Sequence, residues 1–251
     1  MSSPVRLFSP GRSSTRTPTI ATSTSPTGRD RASPPISIVI PCGPGETAWR
    51  GLLATLGDAP FPHESILAGC EPPPDALPDA HGIRWIEGPP NRAAQLNAGI
   101  AAARYEQLWL LHADSRPSSD VMRAAAEFVE HDRLAWFPLR FEPARPVAVR
   151  LNALGANLRS RWLDLPFGDQ GFRLQRATVD RLGGFDPGVR PGEDLDFVVR
   201  ARAAGVRLER RRPSLATSPR RYADAGWWRT TARYVGLTWT LWRDSRRRLA
   251  S

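Results

Sequence analysis

His112 and Asp114 close an apolar run, Gln107-Leu108-Trp109-Leu110-Leu111, and a second acidic pair, Glu193-Asp194, follows Gly192. A carboxylate at the end of a buried strand can hold a divalent ion that also touches substrate phosphates, the usual mode for Mg2+ and Mn2+. A carboxylate opening a helix can take the proton from an acceptor hydroxyl. Both pairs have a plainer use as well: Asp114 suits a turn or helix cap, and acids in a first helical turn are favoured by the dipole. Asn91-Arg92, with Asn97, puts a guanidinium at a helix start, which suits a diphosphate or an ordinary cap with a solvent-facing Arg. Gly168-Asp169-Gln170-Gly171 sets two polar residues between glycines, which permits close approach of the backbone to a ligand and equally makes a turn. His63, His81 and His131 have no partner at metal-ligand spacing and read as surface residues.

Something must bring these groups together. The run ending at Leu111 has no helical period, so it reads as a strand buried on both faces of a parallel sheet. Ligands of open α/β sheets collect beyond the carboxyl ends of such strands. Period-two alternation would then send His112 and Asp114 to the same side. Residues 36–41 form an earlier β-branched strand, Cys42-Gly43-Pro44-Gly45-Glu46 a loop, and Thr47 caps a helix through about Leu56. Strands are expected over 66–68 and 83–86, and a helix over 91–103 with Leu96, Ile100 and Ala103 facing the core. After the central strand comes a helix from Ser118 or Ser119 that presents Val121, Ala125, Phe128 and Val129. Further on, 134–141 reads as a strand, 146–162 as a helix, 172 onward as a short strand, and 176–182 as a helix closed by Gly183-Gly184. A last helix follows Glu193-Asp194. This alternation predicts a three-layer α/β/α sandwich with a central, mainly parallel sheet.

The chain has 251 residues and a net charge of +10, and the location of that charge is informative. Residues 1–34 carry five Arg and one Asp, and 206–251 carry twelve Arg and three acids. The body between them has 18 Arg against 21 Asp and Glu, and there is no Lys. Basic ends on a near-neutral body point to an anionic surface and not to a nucleic-acid groove through the fold. Residues 1–35 are Ser, Thr, Pro and Arg with little apolar content, and disorder is expected. The domain proper is expected over 36–225. Residues 226–248 read as a helix with Trp227, Trp228, Tyr234 and Trp242 among six arginines, either an interfacial membrane helix or one packed on the domain with snorkelling arginines. Its Arg-Trp surface lacks an accompanying nucleic-acid fold, so no nucleic-acid partner is expected. No run approaches the ~18 apolar residues of a membrane span. Only Cys42 and Cys70 are present, which fits a reducing compartment. A cytoplasmic protein, peripheral on the inner face of a membrane through the C-terminal helix, is the expectation.

Taken in order, Ser37-Ile38-Val39-Ile40-Pro41, Arg92-Ala93-Ala94-Gln95-Leu96-Asn97-Ala98-Gly99, Leu111-His112-Ala113-Asp114, Gly168-Asp169-Gln170-Gly171, Leu182-Gly183-Gly184-Phe185 and Glu193-Asp194 resemble the family 2 glycosyltransferases of the GT-A fold. The resemblance spans roughly residues 36–240. It is strongest to the subgroup associated with arsenosugar biosynthesis, in which His-Ala-Asp replaces Asp-X-Asp and a segment like Ser218-Pro219-Arg220-Arg221-Tyr222 follows the catalytic part. The resemblance implies a nucleoside diphosphate sugar donor, a hydroxyl acceptor and Mg2+ or Mn2+ on Asp114. It further implies His112 beside the donor ribose or phosphate, Asp194 as general base with support from Glu193, and Arg92, Arg220 and Arg221 about the diphosphate. Asp169 and Gln170 would line the acceptor or sugar pocket, and Pro41, Asn97 and Glu46 would belong to the donor side. Two loops depart from the pattern. Pro41 is followed by Cys42-Gly43-Pro44-Gly45-Glu46, where only Glu46 can stand in for the usual Asn-Glu, and the second strand ends in Ala68-Gly69-Cys70-Glu71, where Glu71 replaces an Asp. Both changes fall on the nucleotide-base pocket.

Overall fold

The computed structural model describes residues 33–73, 77, 82–143, 147–189 and 191–218, together with Gly236, Trp239, Thr240 and Arg243. The expected tail over 1–35 (save its last three residues), the C-terminal helix apart from those four residues, and the pair Arg220 and Arg221 lie outside this set. The elements run β1 (Ile36–Cys42), α1 (Trp49–Leu56), β2 (His63–Gly69), β3 (Ile83–Glu87), α2 (Arg92–Ala102), β4 (Gln107–Leu110), β5 (Ser115–Arg116), α3 (Ser119–Ala125), β6 (Arg133–Trp136), β7 (Leu139–Phe141), α4 (Val147–Trp162), a 3-10 turn (Gly168–Gln170), β8 (Phe172–Gln175), α5 (Arg176–Arg181), α6 (Glu193–Ala203), β9 (Arg207–Arg210) and β10 (Leu215–Thr217). Among the described residues, seven strands form the main sheet in the order β3-β2-β1-β4-β8-β6-β9, and β8 runs against the others. A small sheet, β5-β10-β7, stands beside it. The expected mainly parallel sheet is the one observed.

Strand β1 is buried along its whole length because both edges are paired, Val39 with Ile66 on one side and with Leu110 on the other. Its alternation feeds two cores. Ile36, Ile38 and Ile40 meet Trp49, Leu52 and Leu56 of α1 and Val121 of α3, while Val39 meets Leu96 and Ile100 of α2 and Phe197 of α6. Each fully buried Leu or Ile contributes about 1.5–3 kcal/mol relative to exposure. Helix α2 lies hard against β1 because Gly99 has no side chain: a Cβ there would sit 2.4 Å from Val39 Cγ1. That approach fixes the amino end of α2 at the carboxyl rim of the sheet. At the opposite rim Glu64 is buried and fully spent, accepting from Ser37 Oγ at 2.6 Å, Arg84 Nη2 at 2.8 Å and the Arg104 amide at 2.6 Å.

Several expectations are corrected. Thr47 does not cap α1: the cap position is Ala48, and the Glu46 carboxylate receives the Ala48 amide at 2.8 Å. Helix α3 stops at Ala125, so Phe128 is exposed, and Val129 is buried through a different device, a two-way bond between its backbone and the Gln107 amide at 3.1 and 2.9 Å. The strand expected over 134–141 is two strands, because Phe137-Pro138 carries the chain from the main sheet to the small one and Pro138 has no amide to continue a ladder. Strands β9 and β10 were not expected.

Candidate active site

Three side chains that the sequence singles out meet at a residue that has none. A Cβ built on Gly168 would lie 3.0 Å from Arg92 Nη2, 3.2 Å from His112 Nε2 and 3.3 Å from Asp194 Oδ2. The Gly168 amide donates to Asp194 Oδ2 at 2.8 Å. Arg92 comes from the first turn of α2, whose N-cap Asn91 accepts the Ala94 amide at 3.2 Å. Asp194 comes from the first turn of α6, where Gly192 supplies the left-handed φ of +114° that turns the chain into the helix. Its other oxygen, Oδ1, accepts the Leu195 amide at 2.8 Å, so the carboxylate is held by two backbone donors. His112 follows β4. A small cavity opens here, lined by Pro41, Arg92, His112, Gly168, Phe185 and Asp194.

Glu193, the neighbour of Asp194, turns elsewhere. It is buried, with Oε1 at 3.3 Å from Arg92 Nε and Oε2 accepting the Gly192 amide at 3.1 Å. The acid next to the candidate base therefore holds the candidate phosphate-facing guanidinium.

His112 and Asp114 do not project together. Regular strand pairing ends at Leu110, the Leu111 amide still reaches the Val39 carbonyl at 3.0 Å, and residues 112–115 form a turn closed by the Ser115 amide on the His112 carbonyl at 3.0 Å. Period-two alternation holds only within an extended strand, so the expectation of a shared side fails. His112 faces Arg92 and Asp194, whereas the Asp114 carboxylate receives the Thr217 hydroxyl at 3.2 Å. Thr217 reaches it because β10 pairs Thr217 with Ser115.

The other sequence-derived residues fall as follows. Asn97 spends its amide on the backbone of Phe185, donating to the carbonyl at 2.7 Å and accepting the amide at 2.9 Å. Gln170 is buried, and its Oε1 accepts from Ser160 Oγ at 2.7 Å and the Phe167 amide at 3.0 Å. Asp169 is half-buried on the same turn. The Glu46 carboxylate accepts the Ala48 amide just ahead of α1, and Glu71 receives the Gly45 amide at 3.0 Å, which ties the first two loops together. Nearby, burial first, then Glu46 and Cys70, push the Cys42 thiol up to about 12.

A divalent ion is testable on donor chemistry. Among the described residues, no group of three or more His, Cys, Asp and Glu side chains is placed to hold one. A single carboxylate, Asp114, braced by a hydroxyl, fits an ion whose remaining ligands are phosphate oxygens and water. It does not fit a protein-only cage. Two residues that touch the candidate side chains escaped sequence reasoning as individuals: Gly168, legible only as half of a glycine pair, and Thr217, whose one signal is its place just before Ser218-Pro219-Arg220-Arg221.

No family model matches the chain, and no curated protein matches it. Solved structures do. The mannosyltransferase PcManGT from Pyrobaculum calidifontis, in complex with GDP-Man and Mn2+, is similar over 77% of this chain and 59% of its own, with a TM-score of 0.58 at 18% identity. S. aureus TarS 1-349 is similar over 73% of this chain and 60% of its own, with a TM-score of 0.58 at 14% identity. The same TarS segment in complex with UDP-GlcNAc gives a TM-score of 0.57, again at 14% identity, over 73% of this chain and 58% of its own. The chain thus spans about three-fifths of the length of these solved chains. With its mainly parallel central sheet, small companion sheet and rim cavity, the chain has the GT-A fold of these glycosyltransferases.

Proposed function

We propose that the protein is a family 2 glycosyltransferase that moves a sugar from a nucleoside diphosphate sugar to an acceptor hydroxyl with inversion. The observation that carries this reading is the convergence of Arg92, His112 and Asp194 on the bare backbone of Gly168. Asp194 takes the proton from the acceptor hydroxyl, the oxygen attacks the anomeric carbon, and the bond to the diphosphate breaks with its electron pair on the departing oxygen. A single in-line displacement of this kind inverts the centre. Two backbone donors fix the Asp194 carboxylate in place, which is what a positioned base requires. Arg92, steered by Glu193, faces the diphosphate, and the resemblance assigns Arg220 and Arg221 to the same group. His112 contacts the donor ribose or phosphate, Pro41 and Glu46 lie on the donor side, and Asp169 and Gln170 bound the acceptor pocket. Asp114 would hold Mg2+ or Mn2+, and the ion would supply positive charge to the leaving diphosphate. The His112-Ala113-Asp114 order supports the arsenosugar-associated subgroup within the family.

The test is direct. Since PcManGT was solved with GDP-Man and Mn2+ and TarS with UDP-GlcNAc, those two donors are the first to try. Asp194→Asn should lower the transfer rate by about 10²–10⁴-fold and leave calorimetric donor affinity within a few-fold of the parent. Transfer by the Asn protein at the parental rate would refute the base assignment.

A second reading has one observation in its favour. Both acids offered as base-pocket substitutes are engaged by backbone amides, Glu46 by Ala48 and Glu71 by Gly45. A binding module on a GT-A fold that no longer uses a donor, attached to a membrane surface, would show this. Failure of both nucleotides to bind in the presence of Mn2+ favours the module.

A further inference from the structure

Helix α4 presents an apolar stripe to solvent. Leu151, Leu154, Leu158 and Trp162 recur at helical spacing and are 54%, 53%, 47% and 75% exposed, and Leu163 beyond them is 52% exposed. The opposite side is firmly docked. Ala153 and Ala156 pack on Leu139 and Phe141, Asn157 bonds both the amide and the carbonyl of Leu139 at 2.7 and 2.9 Å, and Ser160 is buried. The stripe is thus held outward by the packing of the same helix. A lone exposed Leu is ordinary, but a continuous file ending in Trp marks an interaction surface.

Charge selects the partner. Exposed Arg150 and Arg161 border one edge of the stripe, and no acid occurs from 147 to 163. The first acid after it, Asp164, lies 3.8 Å from Arg202. A second copy of the chain seated stripe to stripe would set arginines against arginines with no carboxylate on either helix to pair them. An anionic lipid surface satisfies both features at once, accepting Leu and Trp below the headgroups and arginines beside the phosphates. The helix, 16 residues or about 24 Å long, is among the described helices that are too short or too polar to cross a membrane.

We propose that α4 is a membrane-docking helix that lies in the interface of an anionic bilayer along the Leu151-Leu154-Leu158-Trp162 stripe. This goes beyond the transferase reading and does not depend on it. It also differs from attachment through residues 226–251. Its functional consequence follows from two links: Ser160 Oγ donates to Gln170 Oε1, and the Arg159 guanidinium sits 3.6 Å over the Phe167 ring, so α4 is joined to the turn that carries Gly168. A docked α4 holds that turn close to the lipid surface.

The experiment is co-sedimentation of the full chain with phosphatidylcholine vesicles, with and without phosphatidylglycerol. The parent should pellet with the mixed vesicles and much less with phosphatidylcholine alone. Leu154→Gln/Leu158→Gln/Trp162→Gln, made in the full chain with the basic end intact, should lower the bound fraction by roughly tenfold or more. Arg150→Gln/Arg161→Gln should weaken binding and flatten its salt dependence. Circular dichroism melting serves as the folding control, because all five positions are exposed and should leave it unchanged. Unaltered pelleting of the folded triple variant overturns the proposal. So does a parent that ignores the mixed vesicles, or one that self-associates in sedimentation velocity through the stripe without binding them.

Discussion

Arg92 Nε and the Glu193 carboxylate stand 3.3 Å apart and join the first turn of α2 to the first turn of α6 across the rim of the sheet. The two helices start from different ends of the chain's order, so this pair does more than decorate a surface: it sets the direction of the guanidinium that faces the cavity. Glu193 is itself held by the Gly192 amide, which makes the carboxylate the fixed member and Arg92 the steered one.

Glu193→Gln keeps the shape and removes the charge. Arg92 is partly exposed, so the pair adds only a modest amount to stability and melting should move by no more than a few degrees. Its contribution should appear in donor affinity, with Kd for the nucleotide sugar rising about tenfold and kcat falling less. Calorimetry and a split of kcat from KM check this. An unchanged Kd with a collapse in kcat would instead make Glu193 a partner of the base.

Gly168→Ala tests the convergence itself. The added methyl would sit 3.0–3.3 Å from three polar atoms, tight enough to displace them by tenths of an ångström. The three atoms are side-chain ends and not backbone, and the backbone needs no glycine conformation here, so the fold should survive. Misplacement on that scale costs catalysis steeply, and transfer should fall by about 10- to 100-fold with near-parental melting. Parental activity in the Ala protein would remove Gly168 from the site.

The parts of the fold that were legible in the sequence are those whose burial is two-sided. Strand β1 and the run into Leu110 read as core strands because every residue is apolar or internally satisfied, and α2 read as a helix because Leu96 and Ile100 share one face. Strand β9 was illegible because Arg207, Glu209 and Arg210 on an edge strand look like any charged surface, and β10 because three residues carry no period. The site was legible as a set of motifs and not as a geometry. Alternation put His112 and Asp114 on one side, but the strand ends two residues before His112, and the turn leaves the imidazole beside Gly168 and the carboxylate on Thr217. No local pattern could show that Glu193 faces Arg92, because that contact exists only once α2 and α6 have packed.

Asn97→Ala separates a donor-side role from an architectural one. Both amide atoms of Asn97 are bonded to the backbone of Phe185, and Gly184, at φ +73°, approaches so closely that a Cβ there would meet Asn97 Oδ1 at 2.8 Å. Removing the amide strands a buried donor and acceptor at a cost of about 1–3 kcal/mol. Melting should drop by several degrees, while donor affinity measured well below the transition stays within a few-fold of the parent. A loss of affinity with parental melting would restore Asn97 to the donor side.

Cys42 offers a test of the first loop that needs no substrate. Burial raises its pKa from 9.0 to about 12, with Glu46 and then Cys70 adding to the effect, because each disfavours a thiolate at the end of β1. The folded protein therefore holds a proton that the unfolded chain has begun to lose, and stability must decline with pH through that window. Relative to Cys42→Ala, the parent should keep a constant stability difference below pH 9.0 and lose ground as the pH climbs towards about 12. In the native protein at neutral pH, iodoacetamide should modify Cys70, which is half-buried, and spare Cys42, with both thiols reacting in denaturant. Peptide mapping reads the outcome. Rapid native labelling of Cys42 would mean that the loop between β1 and α1 opens, and the packing of Cys42 with Trp49 and Leu52 would have to be loose enough to admit the reagent.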